Sequence, residues 1–205
     1  MLSLLKSILP NFVPQRVADK PELPKEWAIA TGGDKPQALE GNFCDVFSPD
    51  GRGVTFLIGE VSASGARAAT LVNLIHGAAR AAGQEAGASQ INRVLCDQDR
   101  YAAVFWTQFD PETRLLHFIN AGQVPPLLFK ANRRPMVRLE PTGPGFGVFP
   151  NATYSQGSAA LDPGDILVMY SNGIVEACDE SGENFGEDRL ITVVELSRNI
   201  QISRC

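Results

Sequence analysis

Three glycine-flanked segments carry oxygen-bearing side chains at positions that could do chemistry: Gly41-Asn42-Phe43-Cys44-Asp45, Gly59-Glu60-Val61-Ser62 and Ser171-Asn172-Gly173. Carboxylate and amide oxygens are the donors that hard divalent cations take. Each segment also has a plainer role open to it. Asp45 can be a strand-end acid. Glu60 can be an acid favoured near the start of a following helix, and Asn172-Gly173 a tight left-handed turn. Other chemistries find little footing. Cys44 has no local base or electropositive neighbour to activate it, and Ser62 and Ser64 lack triad partners. His76 and His117 fall within a predicted helix and a predicted strand, where a structural role is the simpler reading. Gly143-Pro144-Gly145-Phe146-Gly147 does not join a strand to a helix, so it does not qualify as a nucleotide-binding fingerprint.

The elements that must position these residues follow from hydrophobic period and turn chemistry. Residues 10–27 carry Pro10, Pro14, Pro21 and Pro24 and predict an extended lead-in. A strand is expected over Glu26–Ala30 and a loop over Thr31–Pro36, with Asp34 inside that loop. Phe43–Ser48 and Val54–Val61 read as a hairpin about the turn Pro49–Gly53. Ala68, Leu71, Val72, Ile75 and Ala79 recur at helical spacing, so a helix is expected over Gly65–Ala82 with Ser64 as N-cap. Gly83 stops it, and a second helix runs from Gly87 through Leu95. Strands follow at Ala102–Phe109, Leu115–Ala121, Pro126–Lys130, Met136–Leu139, Tyr154–Leu161 and Ile166–Tyr170, then a helix over Glu187–Ser197. Many short antiparallel strands with one long helix imply two packed sheets with helices outside, an α+β class.

Length and composition narrow the function. A chain of 205 residues with 44% hydrophobic residues can bury one sizeable core. A net charge of −5 gives no nucleic-acid footprint. Cys44, Cys96, Cys178 and Cys205 show no CxxC spacing, which argues for reduced thiols in a cytoplasmic protein and against a zinc site. No apolar run approaches the roughly 18 residues of a membrane span. Met1–Leu9 is apolar but short, with Lys6 in its middle and no small-residue cleavage site, so no secretory signal is expected. Leu2, Leu5, Ile8 and Leu9 share one face at helical spacing. The expected organisation is an N-terminal helix and proline-rich lead-in over residues 1–25 and one domain over 26–205.

The order and spacing of several segments resemble the SpoIIE-like branch of the PPM, or metal-dependent, serine/threonine phosphatases. Glu40–Asp45 sits where that family has a GGDxxD-type strand start, and Ile58–Gly65 resembles its GDVSGKG turn. Asn120-Ala121-Gly122-Gln123-Val124-Pro125-Pro126 resembles NAGHxPP, Leu161–Leu167 resembles LxPGDxL, Tyr170–Ala177 resembles YTDGxxEA, and Phe185–Leu190 resembles FGxxRL. The resemblance implies the PPM αββα sandwich and a site for two Mg²⁺ or Mn²⁺ ions. It assigns ligand positions to Asn42, Asp45, Glu60, the Val61 backbone carbonyl and Asn172, with Gln123 on a loop nearby.

This chain departs from the pattern at those positions. Asn42 and Asn172 stand where the family has aspartate; they keep its shape without its charge. Glu60 keeps the charge and adds a methylene, a displacement of roughly 1.5 Å that Mg²⁺ geometry tolerates poorly. Gln123 replaces a histidine and cannot titrate. No DDxT-type segment precedes Cys205, so a C-terminal strand and its acid are expected to be missing and a sheet edge exposed, open to self-association. Asp45 and Glu60 then remain as the carboxylates, a formal −2 against a metal charge of +4. Two functions follow from the resemblance. One is a pseudophosphatase that binds a phosphoprotein or regulatory partner in a bacterial partner-switching pathway, with no metal needed. The other is an active phosphoserine/phosphothreonine phosphatase acting on an anti-sigma factor antagonist. The departures favour the first.

Overall fold

The computed structural model describes residues 13–15, 29, 31–33, 41–48, 53–131 and 135–202. The chain divides into two compact units, one of residues 17–29 and 37–170, the other of residues 1–16, 30–36 and 171–205. In the second of these, β1 (Val13–Gln15) pairs antiparallel with β2 (Thr31–Gly33), Val13 opposite Gly33. The loop expected from Thr31 therefore begins as a strand. Its partner lies far back in the chain, which turn composition does not reveal. The N-terminal apolar face, Asp34 and most of the expected Glu26–Ala30 strand lie outside the described residues.

The larger unit opens with the hairpin β3 (Asn42–Phe47) and β4 (Val54–Val61). Two helices follow, α1 (Gly65–Ala81) and α2 (Gln84–Asp97). Ser64 occupies the N-cap of α1, but its side chain makes no capping hydrogen bond. The second helix starts three residues before the expected Gly87, because Gln84 is buried and anchored. Its Nε2 donates to the Trp106 and His117 carbonyls at 2.9 and 3.3 Å, and its Oε1 accepts from Gln156.

The chain then forms β5 (Ala102–Asp110), β6 (Leu115–Ala121), β7 (Leu127–Phe129), β8 (Val137–Arg138), β9 (Gly157–Ala160) and β10 (Ile166–Val168). Strand β9 is shorter than expected at its start because Tyr154 is not in the sheet; its hydroxyl donates to Asn92 at 3.0 Å.

One antiparallel sheet has the order β3-β4-β5-β6-β9 and a smaller one the order β10-β7-β8. Alternation along the strands sends the two faces of the larger sheet to different cores. Leu57, Trp106 and Ile119 pack with Leu71, Ile75, Ile91 and Leu95 of the helices. Phe105, Phe109, Leu116 and Phe118 pack on the other face with Leu128, Leu139 and Leu161. Each such fully buried side chain contributes about 1.5–3 kcal/mol. Two antiparallel sheets with helices on the outside make the α+β architecture expected from the strand count.

The second unit also contains α3 (Asn172–Val175), a single turn, and α4 (Glu187–Ile202), which continues past the expected end at Ser197.

Candidate functional site

Asn42 and Glu60 stand directly opposite each other on β3 and β4, and both are exposed. The Val61 N–H donates to the Gly41 carbonyl at 3.0 Å, which makes Gly41 and Val61 a hydrogen-bonded pair. The next pair, Asn42 and Glu60, is then the non-hydrogen-bonded kind, with side chains about 4.5–5.5 Å apart at Cβ. Glu60 faces Ala103 on its other side, a residue too small to cover the carboxylate. Glu60 lies within β4, and Ser64 is the N-cap of α1, so Glu60 does not cap that helix.

The backbone around this pair is tightly specified. Gly41 has φ +83°, and a Cβ there would lie 2.5 Å from the Val61 carbonyl oxygen. That same carbonyl accepts from the Ala63 N–H at 2.8 Å. Ser62 is clamped to the start of β5 by two bonds: its N–H donates to the Tyr101 carbonyl, and its Oγ accepts from the Tyr101 N–H, both at 2.9 Å. The turn after Glu60 is therefore fixed from two sides.

Asp45 does not join this pair. It is three residues from Asn42, an odd step along a strand, so its side chain leaves the opposite face of the sheet. There it meets α1. Arg80 Nη2 donates to Asp45 Oδ2 at 2.9 Å, and His76 Nδ1 lies 3.7 Å from the same oxygen. Asp45 Oδ1 accepts from the Val46 N–H at 2.9 Å. The Arg80 guanidinium lies 4.1 Å above the Phe47 ring, and the His76 ring meets Phe43 edge-on at 5.4 Å. Burial holds the His76 pKa below its ordinary value; Asp45 opposes that and Arg80 reinforces it. The expected grouping of Asp45 with Asn42 and Glu60 thus fails on strand parity.

Asn172 belongs to the other unit, where it opens α3. Ser171 holds the N-cap position without a side-chain cap, and the Glu176 N–H donates to the Asn172 carbonyl at 2.8 Å. Asn172-Gly173 is a helix start, not a left-handed turn.

The donor set decides what this face can hold. On the face they share, Asn42 and Glu60 offer one neutral amide and one carboxylate. Among the described residues, no group of three or more His, Cys, Asp or Glu side chains could hold a metal ion. Two hard cations need more negative charge than this. Within the larger unit, the described residues do not fit a two-metal centre.

Gln123 sits on a loop built by its neighbours. Asn120 is fully buried: its Oδ1 accepts the Gln123 N–H at 2.9 Å, and its Nδ2 donates to the Leu139 carbonyl at 3.0 Å. Gln123 Oε1 accepts the Val124 N–H at 2.9 Å, while its buried Nε2 has no partner. The loop keeps a defined hydrogen-bonded shape without the histidine.

Two buried polar centres lie outside the candidate residues read from the sequence. Asn92 Oδ1 accepts from the Gly147 N–H and the Tyr154 hydroxyl, and its Nδ2 donates to the Phe149 carbonyl at 3.0 Å. Asp165 is almost fully buried and accepts from Lys130 and from the Ala131 and Asp162 N–H groups. Asn92 looks like one more polar helix residue. Asp165 sits in the LxPGDxL-type motif, and that motif was the available clue.

Similarity to known proteins agrees with this architecture. Residues 50–201 match the family model for stage II sporulation protein E, SpoIIE. Protein IcfG of Synechocystis is 25% identical over 221 aligned residues, which cover 91% of this chain and 34% of that protein. Phosphoserine phosphatase RsbU of Bacillus subtilis is 24% identical over 95 residues, covering 45% of this chain and 28% of that protein. The chain thus spans about a third or less of the length of these curated relatives. The crystal structure of the RsbU and RsbW domains of Rv1364c from Mycobacterium tuberculosis superposes with a TM-score of 0.58 at 21% identity. It covers 71% of this chain and 43% of that one, and shows the same fold. With the family model matched over most of its length, this chain belongs to the SpoIIE family of PPM-type phosphatase domains.

Proposed function

We propose that this protein is a pseudophosphatase of the SpoIIE family, a cytoplasmic regulatory domain that binds a phosphoprotein partner in a partner-switching system without turning it over. The observation that supports this most is the fate of Asp45. It is held by Arg80 on the helix side of the sheet, which leaves Glu60 as the carboxylate beside Asn42. An amide and a single carboxylate can retain one divalent ion weakly, and they lack the charge to bring two together. Any Mg²⁺ or Mn²⁺ that binds would do so through Glu60, with the amide of Asn42 as a neutral donor. The phosphoserine phosphatase RsbU among the relatives favours a second reading, an active enzyme acting on an anti-sigma factor antagonist.

Hydrolysis of a serine-phosphorylated peptide with excess Mn²⁺ separates the two. The native chain is expected to be silent. The double variant Asn42→Asp, Glu60→Asp is expected to bind Mn²⁺ at least about tenfold more tightly, since one restored aspartate adds charge and the other corrects reach. Metal-dependent turnover by the native chain, lost in Glu60→Ala, would establish the enzyme instead.

A further inference from the structure

We propose that Glu60, Asn42 and Tyr101 form a cage for an arginine side chain of the regulatory protein that this domain binds. The proposal rests on the reading of the domain as a pseudophosphatase, which holds its partner without a metal pair. Strand register brings the three residues together. Glu60 stands between Asn42 on β3 and Ala103 on β5. Tyr101 extends the ladder one residue past β5: its N–H donates to Ser62 Oγ and its carbonyl accepts the Ser62 N–H, both at 2.9 Å. It lies two residues from Ala103, an even step, so its side chain leaves the same face of the sheet as Ala103 and Glu60. Ala103, only partly buried, is a small floor between them. Glu60 and Asn42 are both exposed, and neither side chain makes a hydrogen bond or ion pair among the described residues. The Tyr101 ring is 61% exposed on a backbone fixed by Ser62, so it loses little conformational entropy when it is covered.

The chemistry of the three groups selects the occupant. A carboxylate, an amide oxygen and an aromatic face all favour a cation. A guanidinium matches each of them: two parallel N–H groups to Glu60, another to the Asn42 amide oxygen, and its plane against the Tyr101 ring. Its single positive charge balances the Glu60 carboxylate. The neighbouring charges leave that carboxylate unbalanced. Arg100 donates to the Asp99 carbonyl at 3.0 Å and makes no ion pair with Glu60, and its charge is offset by Asp99 itself. Arg67 belongs to α1, which packs on the other face of the sheet. A phosphate group would meet like charge at Glu60, so the cage receives a basic side chain of the partner and not its phosphoserine.

An NMR titration of the isotope-labelled full chain with N-acetylarginine amide, in EDTA and at constant ionic strength, tests this. Backbone amide shifts at Asn42, Glu60, Tyr101 and Ala103 are expected to saturate with a Kd of about 1–10 mM, the range open to one side chain alone. N-acetylcitrulline amide, which keeps the shape and lacks the charge, is expected to bind at least about threefold more weakly, and Glu60→Gln to weaken arginine binding by at least as much. Tyr101→Leu is expected to weaken it about two- to fivefold, while Tyr101→Phe, which keeps the ring, stays within about twofold of native. The proposal is overturned by the absence of saturating shifts at these residues, by citrulline binding as well as arginine, or by native affinity in Glu60→Gln. Hydrolysis of a serine-phosphorylated peptide with Mn²⁺, measured beside it, separates the two readings. Turnover by a chain that also binds arginine in EDTA overturns the pseudophosphatase reading and supports the cage. A silent chain that does not bind arginine overturns the cage alone.

Discussion

Arg80 binds Asp45 at 2.9 Å on the side of the sheet that faces helix α1, across the sheet from Asn42 and Glu60. The ion pair ties the strand at the margin of the larger sheet to the helix that follows Glu60. It accounts for Asp45 without a metal ion.

If that is its role, Asp45 and Glu60 separate by experiment. The pair is partly exposed, worth about 0.2–1 kcal/mol, and the stacking of Arg80 on Phe47 adds about 0.5–1 kcal/mol. Arg80→Met is expected to lower stability by about 1 kcal/mol in urea unfolding. Asp45→Asn is expected to leave Mn²⁺ affinity, read by calorimetry, within about twofold of native. Glu60→Gln is expected to abolish whatever Mn²⁺ binding the native chain shows.

His76 predicts a pH limb. Burial holds its folded pKa below 6.5, so the unfolded chain binds the proton more readily. The stability it contributes is complete above pH 6.5 and declines as pH falls from there towards the folded value. Urea midpoints measured between pH 7.5 and pH 5.5 should fall, and His76→Gln should flatten that part of the curve.

The Lys130–Asp165 pair predicts a second, more acidic limb. Burial would raise the Asp165 pKa, but hydrogen bonds from Lys130 and from the Ala131 and Asp162 N–H groups outweigh it and hold the carboxyl below 3.8. Its stabilisation is present above that value and lost as pH drops below it. Burial likewise opposes the Lys130 charge, and the bonds to Asp165 and Asp162 carry its pKa above 10.5, so its share is lost only in strong alkali. Asp165→Ala removes three hydrogen bonds to a charged group but leaves the Lys130 ammonium on Asp162 and the Ala160 carbonyl, and is expected to cost about 1–3 kcal/mol. Asp165→Asn should remove much of the acid limb.

Gly41 predicts a local effect beside Glu60. A methyl group there meets the Val61 carbonyl at 2.5 Å on a backbone with φ +83°. Gly41→Ala is expected to destabilise by about 1–3 kcal/mol. Hydrogen exchange at the Val61 N–H, which donates to Gly41, should speed up more than exchange in α2.

Much of the fold was legible because its signals are local. The alternation in Val54–Val61 and Leu115–Ala121 predicts both strands at their observed bounds, and the spacing of Ala68, Leu71 and Ile75 predicts α1. Misplacements came where a distant partner decides. Gln84 extends α2 by anchoring on the sheet, and Tyr154 leaves its strand for Asn92.

The sequence by itself determined the order of the motifs, the family they belong to, and the types of side chain near the old metal positions. It also determined that Asn42 and Asp45 leave opposite faces of one strand, since parity is a property of spacing. Only the tertiary structure decided that Asp45 is satisfied by Arg80, a residue 35 positions away, and that Asn42 stands opposite Glu60. An ion pair and a strand register are both set by long-range packing, and neither leaves a periodic trace in the chain.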